Sequence, residues 1–180
     1  MEQSTFIRFN VPMIGQEEID EVIDTLKSGW LTTGPKTARF EREFAQYVKA
    51  PYALAANSAT AALHLSLAAL GIGPGDEVIT TPLTFCSTVN TIFQVGATPV
   101  LADVGADGNI DQASILERIT DRTRAIVPVH LGGLPCDMDP IWRSAREREI
   151  YVIEDAAHAI GAHYMGYPIG AGHQIGRAHV

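Results

Sequence analysis

Residues 77–104 read EVITTPLTFCSTVNTIFQVGATPVLADV. EVITT is a short apolar run of β-branched residues, which is the composition of a buried strand. CSTVNTIFQVG then has its apolar residues at helical spacing, and a glycine ends it. PVLADV is a second short apolar run. A strand, a helix and a strand in so short a span form a βαβ unit, whose crossover makes the two strands parallel.

The same alternation extends in both directions. Toward the C-terminus come a helix in DQASILERIT (111–120), a strand in RAIVPV (124–129), a helix in DPIWRSARERE (139–149) and a strand in IYVIED (150–155). Toward the N-terminus, YALAAN (52–57) reads as a strand and SATAALHLSLAALG (58–71) as a helix closed by Gly71. Two amphipathic helices precede them. In IGQEEIDEVIDTLK, Ile19, Val22, Ile23 and Leu26 share a face; in TARFEREFAQYVK, Phe40, Phe44, Tyr47 and Val48 are expected to point inward. The hydroxyl-rich loop WLTTGPK joins them. The fold class is therefore α/β, a mainly parallel sheet with flanking helices. Ligands of such sheets sit beyond the carboxyl ends of the strands.

Composition narrows the function classes. The chain has 180 residues, 46% hydrophobic and 19% charged, with a net charge of −8. That is enough apolar material for one core, and the acidic balance argues against a nucleic-acid partner. Its two cysteines, Cys86 and Cys136, form neither a disulfide framework nor a paired metal motif, and both are expected to be small buried hydrophobes. No metal site is expected. MEQSTFIRFNVP lacks the layout of a signal peptide, and no apolar run reaches the ~20 residues of a membrane span. A soluble cytoplasmic protein with no membrane partner is the expectation.

Three motifs lie at strand ends. In NSATAAL, Ser58 and Thr60 stand at the start of a helix, where free backbone N–H groups and hydroxyls suit a phosphate; the same residues would serve as an ordinary helix cap. In TPLTFCST, Phe85 follows a strand and either stacks on a planar ring or plugs the next helix into the sheet. In YVIEDAAHA, Asp155 closes an apolar strand, where a carboxylate is costly unless something positive meets it. It either caps the next turn or faces the protonated nitrogen of a pyridine ring. His158 is a donor to the ring's phenolic oxygen or a satisfied interior histidine. A phosphate cradle, a ring face and a ring-nitrogen partner on successive strand ends form the combination that pyridoxal phosphate (PLP) requires.

From about Phe9 to about Gly172 the chain resembles the DegT family of PLP-dependent nucleotide-sugar aminotransferases. SGWLTTGPK, NSATAALH, GDEVITTPLTFCST, GATPVLADV, RAIVPVHLGG and VIEDAAHAIG carry the resemblance. Within the family it is similar to the UDP-4-amino-4-deoxy-L-arabinose aminotransferase type. The resemblance implies the large domain of aminotransferase fold-type I, truncated, with residues 1–172 as a partial PLP-binding domain and the smaller C-terminal domain absent. It implies that Ser58, Ala59 and Thr60 hold the phosphate, Phe85 stacks on the ring, Asp155 faces the ring nitrogen and His158 lies near the phenolic oxygen. Trp30, Thr32 and Thr33 fall in a loop expected to close over substrate at a homodimer interface. The partners implied are a nucleotide-linked keto sugar and an amino-acid donor, glutamate, in cell-surface polysaccharide synthesis.

The chain departs from that pattern at its end. A PLP-dependent aminotransferase needs a lysine that joins the cofactor as a Schiff base. Only Lys27, Lys36 and Lys49 occur, all ahead of the phosphate loop, so the catalytic lysine is expected beyond position 180. Relatives that carry histidine there dehydrate sugars instead. A non-catalytic PLP-binding regulator is a further alternative, and a Rossmann nucleotide domain is disfavoured because no GxGxxG follows the first strand. Ile175–Val180, IGRAHV, is the in-frame translation of ATCGGAAGAGCACACGTC, part of a widely used sequencing adapter. Residues 173–180 are accordingly expected to be a non-native tail.

Overall fold

The computed structural model describes residues 11–171 and the backbone of 178–179. The chain divides into two compact units, Met1–Arg39 and Phe40–Val180. In the first, α1 (Gln16–Ser28) starts where the Glu18 carboxylate accepts the Gly15 N–H (2.6 Å) and ends at Gly29, left-handed at φ 73°. Lys36 pairs with Glu21 (2.7 Å) and Asp24 (2.8 Å), and Arg39 pairs with Glu21 (2.9 Å). The Trp30 indole N–H donates to the Thr33 carbonyl (2.8 Å), folding the loop over Gly34, where any Cβ would collide with the ring. The apolar stripe of α1 is exposed, Val22 and Leu26 by 60% and 62%.

The second unit is built on a parallel sheet in the order β2-β1-β3-β4-β7. The strands are β1 (Glu77–Thr80), β2 (Thr98–Leu101), β3 (Thr123–Val127), β4 (Tyr151–Glu154) and β7 (Ala178–His179). Helices α3 (Ala59–Ala69), α4 (Ser87–Gln94), α5 (Gln112–Arg118) and α6 (Met138–Glu147) flank it. Alternation along the strands divides the core into two layers. Val78, Val127 and Ile153 meet Leu63 and Leu67 of α3 and Ile92 of α4; Ile79, Ile126 and Val152 meet Ile115 of α5 and Ile141 of α6. Strands buried on both faces read as unbroken apolar runs, which is why they were visible in sequence. Among the described residues no helix is long and apolar enough to cross a membrane.

Several expectations change. Residues 52–57 form no strand: Tyr52 and Leu54 are each 88% exposed, and the Ala55 N–H donates to the Glu41 carboxylate (2.9 Å) instead of to a ladder. In α2 (Pro35–Val48) only Val48 is buried; Phe40 and Phe44 pack on each other with ring centroids 5.6 Å apart. Cys86 is exposed, because it sits in the strand-end loop that opens α4, whereas Cys136 is buried as expected. A hairpin of β5 (His163–Tyr164) and β6 (Tyr167–Pro168) was not anticipated. The tail expected to be non-native, 173–180, lies outside the described residues apart from the two that form β7.

Candidate active site

The C-terminal ends of β1, β3 and β4 meet around Asp155. Residues of a strand point alternately to its two faces. Ile153 lies on the α3–α4 side, so Asp155 does too, and the Thr88 hydroxyl of α4 donates to its Oδ2 (2.8 Å). That hydroxyl's proton is thus committed, and Thr88 accepts from the Thr84 hydroxyl (2.9 Å). The relay Thr84–Thr88–Asp155 ties the loop carrying Phe85 to the end of β4. Asp155 is buried, with its Oδ1 within 3.3 Å of the Ala157 N–H, and residues 156–159 close a turn rather than the helix a cap would start. Phe85 is 71% exposed, so its ring plugs nothing into the sheet and leaves a face open.

Ser58 caps α3, its oxygen accepting from the Ala61 N–H (3.1 Å). Its hydroxyl donates to Asn57 Oδ1 in a long bond (3.4 Å). Capping and anion binding are compatible: the Ala59 and Thr60 amides, in the first turn, have no partner within the helix. α3 leads through the turn at 70–76 into the start of β1, so its N-terminus lies at the same end of the sheet as Asp155. His158 is exposed and makes no ring hydrogen bond among the described residues. Trp30, Thr32 and Thr33 belong to the first unit.

On the other face of β4 is an arrangement the sequence reading missed. Glu154 and His130 are both buried, with Glu154 Oε2 3.0 Å from His130 Nε2. His130 Nδ1 accepts the Cys136 N–H (3.0 Å). A nitrogen that accepts carries no proton, so His130 is the neutral Nε2–H tautomer and donates to Glu154. The Cys136 thiol donates to the Val129 carbonyl (3.2 Å), and burial pushes its pKa up to about 12. The buried Asn109 side chain accepts from the Leu131 N–H (3.2 Å) and donates to the Leu134 and Pro135 carbonyls (3.2 Å each). This holds the loop 131–135 against the 156–158 turn so closely that a Cβ on Gly133 would lie 2.9 Å from the His158 carbonyl oxygen. A histidine directly after an apolar strand was the available signal for this arrangement.

The sequence profile of the DegT/DnrJ/EryC1/StrS aminotransferase family matches residues 12–178. The chain belongs to that family. Among DegT-family proteins it is 54% identical to the spore coat polysaccharide biosynthesis protein SpsC of Bacillus subtilis, over 92% of this chain and 43% of that protein. It is 49% identical to the UDP-4-amino-4-deoxy-L-arabinose–oxoglutarate aminotransferase of Shewanella sediminis, over 88% of this chain and 41% of that one. Of solved structures, Spr1654 of Streptococcus pneumoniae, assigned as a sugar aminotransferase and determined in its PMP form, superposes with a TM-score of 0.88 at 42% identity, covering 91% of this chain and 46% of that one. The chain thus spans under half the length of the relatives it matches, and its fold is that of the PLP aminotransferases of fold-type I.

The residues present fit such a cofactor. A buried carboxylate with only one short hydrogen bond suits a protonated ring nitrogen, the open face of Phe85 suits a ring, and the α3 amides suit a phosphate. Among the described residues no cluster of His, Cys, Asp or Glu could hold a metal ion.

Proposed function

We propose that the complete protein transfers an amino group, with glutamate as donor and PLP as cofactor, to a nucleotide-linked keto sugar in cell-surface polysaccharide synthesis. The observation that carries the reading is Asp155, a buried carboxylate at the mouth of β4 with one short hydrogen bond, from the Thr88 hydroxyl. The enzymes named by the relatives, a spore coat polysaccharide protein and an arabinose-type aminotransferase, support the substrate class.

When bound, PLP supplies the electron sink that stabilises a carbanion beside the reacting nitrogen. The chain's own residues position it. Ser58, Ala59 and Thr60 hold the phosphate at the positive end of α3, and Phe85 covers one ring face. Asp155 keeps a proton on the ring nitrogen through charge, and the Thr84–Thr88 relay keeps Asp155 from rotating away. His158 donates to the phenolic oxygen. Trp30, Thr32 and Thr33 face the substrate when two copies of the complete protein pair; the exposed apolar stripe of α1 supports a homodimer. Free thiols at Cys86 and Cys136 fit a reducing cytoplasm.

Lys36 is not assigned the covalent role. Hydrogen bonds from its ammonium to Asp24 and Glu21 raise its pKa, whereas a Schiff-base lysine needs a lowered one. We place the catalytic lysine in the part of the protein beyond this chain.

The test uses the full-length protein with PLP, glutamate and UDP-linked 4-keto sugars, with amino-sugar product read by mass spectrometry. Asp155→Asn should still fold and still bind PLP, though more weakly, and lose at least ~10²-fold in turnover. Wild-type turnover in that variant would overturn the assignment.

A further inference from the structure

We infer that His130 is a positioning residue for the proposed cofactor site, acting as a neutral two-ended connector between the strand end that presents Asp155 and the loop that supports His158. The inference rests on the reading of Asp155 given above.

The backbone of His130 already belongs to that strand end. Its N–H donates to the Asp155 carbonyl (3.1 Å), and the Asp155 N–H donates to the Pro128 carbonyl (2.9 Å). These two bonds are the last of the ladder between β3 and β4, continued by the bridge Val129–Asp155. Past this point the Asp155 carboxylate is held by the Thr88 hydroxyl and the Ala157 N–H, and among the described residues no further backbone bond joins the two chains. The imidazole takes over. Nε2 donates to Glu154, the residue before Asp155, and Nδ1 receives the Cys136 N–H at the far end of the loop. One fully buried ring therefore joins β4 to the closing residue of loop 131–136.

That loop bears on the site directly. Gly133 at φ +86° lies under the His158 carbonyl with no room for a Cβ, so a shift of the loop is passed to the 156–158 turn. The backbone of Asp155, through the His130 N–H, and the turn carrying His158, through loop 131–136, are thus both connected to His130. Glu154 and Asp155 are successive acids facing opposite sides of the sheet, one toward His130 and one toward Thr88. Neutral His130 satisfies Glu154 by donation without bringing a cation to that side of the strand. A protonated histidine would have to give up the Cys136 bond, because Nδ1 could no longer accept.

Asparagine and glutamine separate the two ends. His130→Asn can keep an acceptor near the Cys136 N–H and loses the donor to Glu154; His130→Gln can keep the donor and loses the acceptor. The experiment titrates pyridoxamine phosphate, labelled with ¹⁵N in its ring, into full-length wild type, both His130 variants and Asp155→Asn. Affinity is read by fluorescence and ring protonation by the ¹⁵N shift. Because pyridoxamine phosphate binds without the covalent lysine, the readout is independent of turnover. Each His130 variant should bind about tenfold more weakly, equivalent to about 1.4 kcal/mol, and shift the ring ¹⁵N signal toward the deprotonated form, in the direction of Asp155→Asn. A merely structural role would lower the melting temperature and leave that signal unmoved.

If Asp155→Asn leaves affinity and ring protonation unchanged, the proposed function falls. If Asp155→Asn changes them and both His130 variants match wild type, only the present inference falls. Should both His130 variants fail to fold, imidazole ¹⁵N spectra of the wild type decide: a neutral Nε2–H ring supports the connector, and an Nδ1–H or doubly protonated ring overturns it.

Discussion

Replacing Thr88 by valine removes one hydroxyl and keeps the side-chain shape. The hydroxyl is 1% exposed with its residue, donates to Asp155 at 2.8 Å and receives Thr84 at 2.9 Å. A hydrogen bond to a charged group is worth about 1.5–3 kcal/mol, and the neutral one about 0.5–1 kcal/mol, discounted because half-buried Thr84 can turn to water. The expected cost is therefore about 2–4 kcal/mol. At about 2–4 °C per kcal/mol, melting should fall by roughly 4–16 °C. Thr88→Ser keeps the donor and loses one methyl, a cost of about 1 kcal/mol. Thermal unfolding by circular dichroism of the full-length protein measures both, with Asp155→Asn and the Thr88→Val/Asp155→Asn pair closing a cycle. The coupling should be about 1 kcal/mol, the difference between a hydrogen bond to a carboxylate and one to the amide oxygen that asparagine keeps. Thr88→Ser falling as far as Thr88→Val, or additive effects in the double variant, would refute the relay.

Three more outcomes follow from other parts of the chain. The Glu77 carboxyl is held below its ordinary pKa, first by the Thr120 hydroxyl and then by the Arg122 guanidinium. A depressed carboxyl contributes stability that is complete above the unfolded value, about 4.3, and is lost as pH falls through the folded value; denaturant titration should show wild type losing more stability than Glu77→Gln between about pH 5 and 3. Of the two thiols, exposed Cys86 should react with an aromatic disulfide reagent at pH 8 while Cys136, at about 12, stays unmodified until the protein is denatured, as read by peptide mapping. Gly133→Ala should destabilise the protein by about 1–3 kcal/mol more than Gly132→Ala: both have positive φ, but a Cβ at Gly132 meets nothing within 4 Å, and equal melting temperatures would count against the contact with His158.

The parallel sheet was legible because its central strands β1, β3 and β4 are largely buried on both faces and read as apolar runs between polar turns. Asp155 was legible because a charge breaks such a run. Thr88 was not: nothing in TFCST distinguishes the threonine that reaches an aspartate 67 residues later from its neighbours. His130 and Glu154 were hidden in the same way, since their pairing depends on how β3 and β4 register. YALAAN misled because strand formation depends on a partner as much as on composition, and here Glu41 takes the backbone donor. The β5–β6 hairpin was missed because its two turn residues are Met165 and Gly166, at φ 49° and 83°, and methionine is no signal for a left-handed turn.

The strand order also bears on how the protein is made. A ribosome releases β1 first, yet β1 ends between β2 and β3, and its Thr80 hydroxyl bonds to the Val127 carbonyl 47 residues later. At about 5–20 residues per second, one side of β1 waits some seconds for its second neighbour. During that interval Val78 and Ile79 lie on an open strand edge capable of pairing with another nascent chain. Synthesis of this protein therefore passes through a window of self-association, and a delay in translating residues 81–127 would lengthen it.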